Sequence, residues 1–227
     1  MISGETRLVG LLGDPVSQSL SPLMQNAAFA ARGLDWAYVP LPVASEHLDD
    51  AVRGLVALGF AGANVTTPHK LAVAGLVDAD EPSVNTLVVR EGRVVGYSTD
   101  TAILAELEFQ GAAIVGDGGA AVGFWAALPD AAHFSRKGTW PADVSSADLL
   151  INATSERDEV LFELRPGQTL VDLPYPRTAT ARAADAAGAR VVDGLEVLVA
   201  QGAAAFELWT GIAAPVEVMR AAVRTGG

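Results

Sequence analysis

Hydrophobic residues along the chain form short continuous runs that alternate with stretches of helical spacing. The apolar run 7–13 ends in a Gly-Asp-Pro turn, which is typical of a buried strand. Ser21 and Pro22 open a helical pattern through Arg32, and this pair predicts that Ser21 caps the helix. The same reasoning predicts strands at 36–41 and 62–66, helices at 45–58, 69–76 and 101–106, and a hairpin of 86–90 with 94–97.

A second series of elements begins near residue 110. Strands are predicted at 112–116, 132–135, 148–152, 169–173 and 190–192, and helices after the first of these strands and at 179–187, 197–210 and 215–224. Because strands alternate with helices, we expect an α/β fold with largely parallel sheets. A length of 227 residues allows one large or two modest domains.

The charge and composition narrow the possible partners. A net charge of −12 argues against nucleic acid as a partner, and an anionic substrate would need local positive charge at its site. Lys70 and Lys137 are the only lysines, so their positions are informative. The absence of cysteine excludes disulfides and thiolate metal sites, and we expect no metal. With no apolar run of roughly 18 residues and no signal-peptide pattern at residues 1–7, we expect a cytoplasmic protein without a membrane span.

Lys70 ends a polar stretch, Asn64-Val65-Thr66-Thr67-Pro68-His69-Lys70, that follows a predicted strand. Asn64 and Thr66 alternate along that strand and therefore point to the same side. A lysine at a helix start is unfavourable for the helix dipole, which suggests another task such as acid–base chemistry. The alternative is an ordinary surface lysine.

Other polar residues have a functional and a structural interpretation. Ser19 and Ser21 place two hydroxyls in a loop after a strand, where α/β sheets bind ligands, but from these residues alone capping by Ser21 with a solvent-facing Ser19 is the favoured interpretation. Asp100 either caps a helix or pairs with Lys70 and shares protons with it. Gln201 is a lone polar residue in an apolar helix, and it either contacts a ligand or makes a hydrogen bond within the core.

A glycine-rich turn, Gly116-Asp117-Gly118-Gly119, lies between a predicted strand and a predicted helix. Glycines in this place let the backbone approach a pyrophosphate at the helix N-terminus, although Asp117 puts an unfavourable charge beside it. After the next apolar run, Ser135-Arg136-Lys137 supplies cations that can pair with a 2′-phosphate, which favours NADP over NAD. The alternative for this second segment is a plain polar turn.

Taken in order, these motifs resemble the shikimate dehydrogenase family over nearly the whole chain. The matching pieces are Gly13-Asp14-Pro15-Val16, Ser19-Leu20-Ser21-Pro22, the stretch 59–70 ending at Lys70, Asn85-Thr86, Gly96-Tyr97-Ser98-Thr99-Asp100, Ile151-Asn152-Ala153-Thr154-Ser155 and the stretch 206–211.

The resemblance implies two α/β domains: a substrate domain at 1–105, to which C-terminal helices at 198–227 return, and a Rossmann-like NADP(H) domain at 106–197. It implies NADPH-dependent reduction of 3-dehydroshikimate to shikimate in chorismate and aromatic amino-acid biosynthesis, by a monomer or homodimer. Lys70 and Asp100 would be catalytic. Substrate binding is implied for Ser19, Ser21, Asn64, Thr66, Asn85, Gln201 and Tyr175, and cofactor binding for Gly116, Gly118, Gly119, Ala120, Ser135, Arg136, Lys137, Asn152, Thr154 and Gly194.

The chain departs from the family pattern mainly in the second domain. There the helix and strand expected after Lys137 are nearly gone, since only 138–147 precede the next strand. Quinate or aminoshikimate stays open as the substrate, as does a non-catalytic protein that binds a shikimate-type ligand with a degenerate cofactor domain. The other departures are Gln18 in place of histidine, a shortened segment between Lys70 and Asn85, Asp117 in place of alanine, Ser135-Arg136-Lys137 in place of Asn-Arg-Thr, and Tyr175-Pro176-Arg177 in place of Tyr-Asn-Pro.

Overall fold

Ten strands and seven α-helices follow one another along residues 2–225, the part of the chain that the computed structural model describes. They divide into two compact units, Met1–Thr99 with Val199–Gly227, and Asp100–Leu198. The first unit holds β1 (Arg7–Gly13), α1 (Ser21–Ala31), β2 (Trp36–Pro42), α2 (Leu48–Ala57), β3 (Gly62–Val65), α3 (Lys70–Ala74), β4 (Thr86–Arg90) and β5 (Arg93–Tyr97). The second holds β6 (Ala112–Val115), α4 (Gly119–Ala127), β7 (Ala132–Phe134), β8 (Leu149–Asn152), β9 (Thr169–Asp172), α5 (Ala179–Ala186) and β10 (Arg190–Val192). Helix α6 (Gly194–Thr210) begins in the second unit and ends in the first, and α7 (Val216–Thr225) belongs to the first.

The sheet of the first unit is mixed, with strand order β2-β1-β3-β4-β5. β1 runs parallel to β2 and β3, whereas β4 pairs antiparallel with β3 and β5. The predicted hairpin is confirmed, and its turn residues Glu91 and Gly92 have φ of 52° and 77°, as the favoured two-residue hairpin turn requires. The C-terminal helix α7 packs against α1, so the end of the chain belongs to the first unit.

Three helix predictions need correction. Leu20, not Ser21, is the N-cap of α1, and no side chain caps this helix; Ser21 is already its first residue. The predicted helix at 45–58 begins with a 3₁₀ turn, Ser45–His47, before α2. The segment predicted as a helix after Asp100 is a 3₁₀ helix, Asp100–Glu106. Each deviation lies at a helix end or in a short segment, where local hydrogen bonding decides between the two helix types.

The sheet of the second unit is entirely parallel, with strand order β10-β9-β8-β6-β7. From β6 the chain crosses to β7 on one side and then returns to β8 on the other side. The glycine turn 116–118 follows β6 directly at this reversal of strand order. Open α/β sheets bind their ligands at such a switch point, outside the carboxyl ends of the strands.

The helix and strand that the family pattern places between β7 and β8 are missing, as the sequence predicted, since residues 135–148 contain neither. Val144 and Ala147 from this connection enter the core of the unit instead. The buried side chain of Gln168 holds them there, because its Nε2 donates to the backbone oxygens of Val144 at 3.1 Å and Ala147 at 2.7 Å. An irregular segment, held by hydrogen bonds from Gln168, therefore contributes to the core of the second unit.

Candidate active site

Ser19 and Ser21 lie in the loop after β1 and at the first residue of α1. The Ser19 Oγ accepts a hydrogen bond from the Ser21 N–H at 3.2 Å. Ser19 is half-buried and Ser21 is buried. Ser19 therefore satisfies one of the N–H groups at the start of α1, a structural role that coexists with the predicted role in binding a carboxylate.

Asn64 on β3 is buried, with 4% of its surface exposed, and its side chain is held by three hydrogen bonds. Its Nδ2 donates to the Asn85 backbone oxygen at 3.1 Å and to Thr86 Oγ1 at 2.9 Å, and its Oδ1 accepts from the Tyr38 hydroxyl at 2.9 Å. The backbone oxygen can only accept, which fixes the orientation of the amide. Both N–H bonds of Asn64 are thus used, and only its Oδ1 can receive a further hydrogen bond from a ligand hydroxyl.

Asn85 joins this network to α6. Its Oδ1 accepts from the Thr99 N–H at 2.6 Å and from the Thr99 hydroxyl at 3.1 Å, which turns its Nδ2 toward Gln201 Oε1 at 3.4 Å. Three predicted substrate residues, Asn64, Asn85 and Gln201, are therefore brought together, although 116 positions separate Asn85 from Gln201. Thr66 lies just beyond the end of β3, and its N–H donates to the Leu12 backbone oxygen at 2.9 Å.

Lys70 is the first residue of α3, as predicted, and its side chain is half-buried. Its backbone oxygen accepts from the Val84 N–H at 2.9 Å, which ties α3 to the residue before Asn85. The preceding His69 is 1% exposed, and its Nε2 donates to the Val43 backbone oxygen at 2.7 Å. His69 thus anchors the start of α3 to the chain after β2, a structural contribution of the motif that ends at Lys70.

Asp100 begins the 3₁₀ helix of the second unit and is buried. It follows Thr99 directly, and the N–H and the hydroxyl of Thr99 both donate to the Asn85 Oδ1. The backbone just before the predicted catalytic carboxylate is therefore fixed by a predicted substrate residue.

Gly116, the first residue of the glycine turn after β6, leaves no room for a side chain. Gly116 has φ of 138°, and a Cβ there would lie 2.7 Å from the Ala153 backbone oxygen, so only glycine fits. Gly118 is the N-cap of α4, and no side chain caps this helix. The positive end of the dipole of α4 lies at its first turn, which begins at Gly119 and Ala120, and this suits a pyrophosphate.

The cations predicted to read a 2′-phosphate lie in an exposed turn after β7 and are both paired with carboxylates. Arg136 forms an ion pair with Glu159, and Lys137 Nζ lies 2.9 Å from Asp117 Oδ2 in the glycine turn. Ser135 is buried at the base of this turn, where its backbone oxygen accepts from the Gly138 N–H at 3.0 Å. The sequence indicated the cations but not their partners.

Asn152 at the end of β8 is fully buried, and its side chain is committed to the protein. Its Nδ2 donates to Asp172 Oδ1 at 2.7 Å, and its Oδ1 accepts from the Thr154 N–H at 3.2 Å and from the Thr154 hydroxyl at 2.8 Å. Asn152 therefore positions Thr154 and the loop after β8.

Asp172 was not among the predicted site residues. It lies at the end of β9 with no exposed surface, and it accepts hydrogen bonds from Asn152 and from the N-cap residue of α5, Thr178. Burial raises the pKa of Asp172, and these hydrogen bonds oppose that rise. The only sequence signal for this buried carboxylate is that a charged residue ends an apolar strand.

Gly194 at the start of α6 permits a close approach of two backbone segments. A Cβ there would lie 2.4 Å from the Pro174 oxygen and 2.5 Å from the Leu173 oxygen. The half-buried Tyr175 follows immediately. Gly194 thus positions the loop that carries Tyr175.

A glycine turn at the switch point of a parallel sheet, together with a buried network of amides and hydroxyls, defines a dinucleotide-dependent α/β enzyme that acts on a polar substrate. Comparison with known proteins identifies which one. The family model of the shikimate dehydrogenase substrate binding domain matches residues 11–87, and that of the shikimate 5′-dehydrogenase C-terminal domain matches residues 194–224.

Relatives match along the full length of the chain. The shikimate dehydrogenase (NADP(+)) of Anaeromyxobacter sp. (strain Fw109-5) is 40% identical over 276 residues, covering 100% of this chain and 99% of the relative. The chain belongs to the shikimate dehydrogenase family. The aligned stretch of 276 positions is longer than the 227 residues of this chain, so the relative contains segments that this chain lacks, in agreement with the reduced connection between β7 and β8.

Solved structures agree with this assignment. Shikimate 5-dehydrogenase from Thermus thermophilus, in complex with NADP(H) and shikimate, superposes with a TM-score of 0.87 at 29% identity, covering 98% of this chain and 100% of that one. The Listeria monocytogenes shikimate 5-dehydrogenase, in complex with shikimate and NAD, has a TM-score of 0.84 at 28% identity and covers 98% of both chains. Within residues 2–225, no helix has the length and apolarity that crossing a membrane requires.

Proposed function

We propose that this protein is a shikimate dehydrogenase, which reduces 3-dehydroshikimate to shikimate reversibly with NADPH. The observation that carries the proposal is the network of Asn64, Asn85 and Gln201, with α3 and Lys70 tied to it through Val84. Relatives at about 40% identity carry this name, and the chain matches them over 95% or more of their length.

In this proposal the first unit recognises the substrate. Ser19 and Ser21 donate hydrogen bonds to the ring carboxylate, which supplies local attraction on a chain of net charge −12. Asn64 accepts from a ring hydroxyl, because its N–H groups are already used. Asn85, Gln201 and Thr66 complete the contacts to the ring hydroxyls.

The chemistry requires a proton at the carbonyl oxygen. Bound nicotinamide supplies the hydride, and the protein supplies orientation and the proton. The Lys70 ammonium stabilises the negative charge that develops on the C3 oxygen and donates its proton there. Asp100 is proposed as the second catalytic residue, the acceptor of a hydrogen bond from the reacting hydroxyl.

The second unit holds NADP(H). At Gly118, the N-cap of α4, no atom lies within 4 Å of the place a Cβ would take, so a pyrophosphate can approach the backbone there. Gly116, Gly119 and Ala120 complete this pyrophosphate site, while Ser135, Arg136 and Lys137 hold the adenosine 2′-phosphate. Thr154, positioned by Asn152, would contact the cofactor, whereas Tyr175, positioned by Gly194, would contact the substrate.

The enzyme acts in the cytoplasm as a monomer or homodimer in aromatic amino-acid biosynthesis, with shikimate and 3-dehydroshikimate as its small-molecule partners. Its strong negative charge disfavours nucleic acid.

The test is a matrix of steady-state assays with NADP and NAD against shikimate, quinate and aminoshikimate. The highest kcat/KM is expected for shikimate with NADP. A higher value for quinate or aminoshikimate would change the substrate within the family. If calorimetry shows shikimate binding but neither cofactor supports turnover, the result would contradict an enzymatic role and favour a ligand-binding protein. The reduced β7–β8 connection in the cofactor unit is the observation that motivates this alternative.

A further inference from the structure

Two carboxylates form ion pairs with the cations that are assigned to the 2′-phosphate of the cofactor. We propose that Asp117 and Glu159 lower the preference of this chain for NADP over NAD, because they hold Lys137 and Arg136 in ion pairs that a 2′-phosphate must displace. The inference rests on the proposed function and concerns how that site selects its cofactor.

Three neighbouring strands bring these groups together. Asp117 follows β6, the two cations Arg136 and Lys137 follow β7, and Glu159 lies in the loop after β8; these strands are adjacent and parallel in the order β8-β6-β7. Their carboxyl ends therefore meet at one edge of the sheet. Each cation is matched to one carboxylate, Lys137 to Asp117 at 2.9 Å and Arg136 to Glu159.

The loop that carries Glu159 is ordered by an internal contact. The Glu156 Oε1 accepts the backbone N–H groups of Arg157 at 2.9 Å, Asp158 at 2.9 Å and Glu159 at 3.3 Å. The pKa of Glu156 is lowered first by the Asp158 N–H and additionally by the charge on Arg136. Arg136 is thus close to two carboxylates of this loop, and the loop presents Glu159 to it in a fixed backbone conformation.

The two cofactors differ in what they meet at this edge. A 2′-phosphate must displace the carboxylates from Arg136 and Lys137, and it is then repelled by the negative charge of these carboxylates nearby. A free ribose 2′-hydroxyl can instead donate to a carboxylate, the arrangement by which acidic residues hold NAD. Since all four side chains are substantially exposed, water and salt screen these terms, and each pair should change affinity by only a few-fold.

The two pairs should differ in their effects. Asp117 lies within the glycine turn, so its charge repels the pyrophosphate that both cofactors share. Glu159 pairs only with the cation assigned to the 2′-phosphate. Glu159→Gln should therefore tighten NADPH binding about 2- to 5-fold, whereas NADH binding should gain nothing, because its 2′-hydroxyl loses a carboxylate acceptor. Asp117→Asn should tighten both, with NADPH gaining more because Lys137 is also released.

The experiment measures equilibrium binding of NADPH and NADH to the full chain, without substrate, from the fluorescence of the reduced nicotinamide. Asp158→Asn is the matched control for Glu159→Gln, since it removes the same charge from the same loop without an observed ion pair to a cation. Asp130→Asn, in the exposed connection after α4, is the control for Asp117→Asn. Each control should change the NADPH and NADH affinities by the same factor, and by a smaller factor than its matched variant does. Glu159→Gln, in contrast, should raise the ratio of NADPH affinity to NADH affinity.

Two outcomes overturn the inference in distinguishable ways. If the parent binds NADPH but Glu159→Gln and Asp158→Asn have the same NADPH-to-NADH affinity ratio, the inference is overturned and the proposed function is not. Binding of neither nucleotide by the parent overturns the proposed function and the inference together.

Discussion

Replacing Asn152 by aspartate would place two carboxyl groups in contact inside the second unit. The Asn152 Nδ2 donates to Asp172 Oδ1 at 2.7 Å, and neither side chain is exposed. In Asn152→Asp an oxygen replaces this donor. Two full charges at that distance would repel by about 6 kcal/mol at an effective dielectric constant near 20.

The folded variant avoids this repulsion by binding a proton between the two carboxyl groups. At pH 7 the uptake costs about 4 kcal/mol, because an aspartate with an ordinary pKa near 3.9 must be protonated roughly three units above it. This route costs less than the repulsion, so we expect Asn152→Asp to lose about 4 kcal/mol of unfolding free energy at pH 7. The folded state then holds one more proton than the unfolded state, so the loss should shrink by about 1.4 kcal/mol per pH unit on acidification.

The assay is urea unfolding followed by circular dichroism from pH 4.5 to 7.5, for the parent and Asn152→Asp. The control combines Asn152→Asp with Asp172→Asn, which exchanges donor and acceptor and should remove the steep pH dependence. A difference between parent and Asn152→Asp that is the same at both ends of the pH range would refute the contact between residues 152 and 172.

Three further predictions follow from the site and its surroundings. Lys70→Ala should lower kcat by about 10²–10⁴ with a much smaller change in KM, as for a positioned acid–base group; an unchanged kcat in steady-state assays would remove Lys70 from the chemistry. Ser19→Ala and Ser21→Ala should each weaken shikimate binding by about 1.5–3 kcal/mol, the contribution of a hydrogen bond to a charged group; parent-like affinities by calorimetry would place the carboxylate elsewhere. Asp148 accepts the Gly111 N–H at 2.8 Å, and this hydrogen bond, with that of Gln110, lowers its pKa below 3.8. Its contribution to stability is therefore present above pH 3.8 and lost as the pH falls through the lowered value, so the difference in Tm between parent and Asp148→Asn should shrink as the pH falls below 3.8; a difference that grows on acidification would contradict this.

The features that were predictable from the sequence depend on local backbone chemistry. The hairpin at Glu91-Gly92 needs left-handed backbone in adjacent residues, and glycine signals it. The turn at Gly116 combines a strand, glycines and a helix within a few residues. The start of α3 at Lys70 likewise follows from a proline two residues earlier that ends the strand.

The features that were not predictable depend on partners distant in sequence. The pairing of Arg136 with Glu159 spans 23 residues and exists because β7, β6 and β8 are neighbours in the sheet. The role of Asp172 depends on its burial, which an isolated aspartate in the sequence does not reveal. The error at Ser21 was of another kind, since serine at a helix start is a good cap in general, yet here Ser19 supplies the hydrogen bond.

Transfer of deuterium from the cofactor to the substrate tests the proposed reaction most directly. The purified chain is incubated with 3-dehydroshikimate and NADPH deuterated at the transferred position of nicotinamide C4, and the product is analysed by mass spectrometry. Hydride transfer predicts shikimate that carries a single deuterium at C3, formed by the parent and strongly slowed in Lys70→Ala. Shikimate without deuterium, or no shikimate from a chain that binds both compounds, would contradict the proposed function.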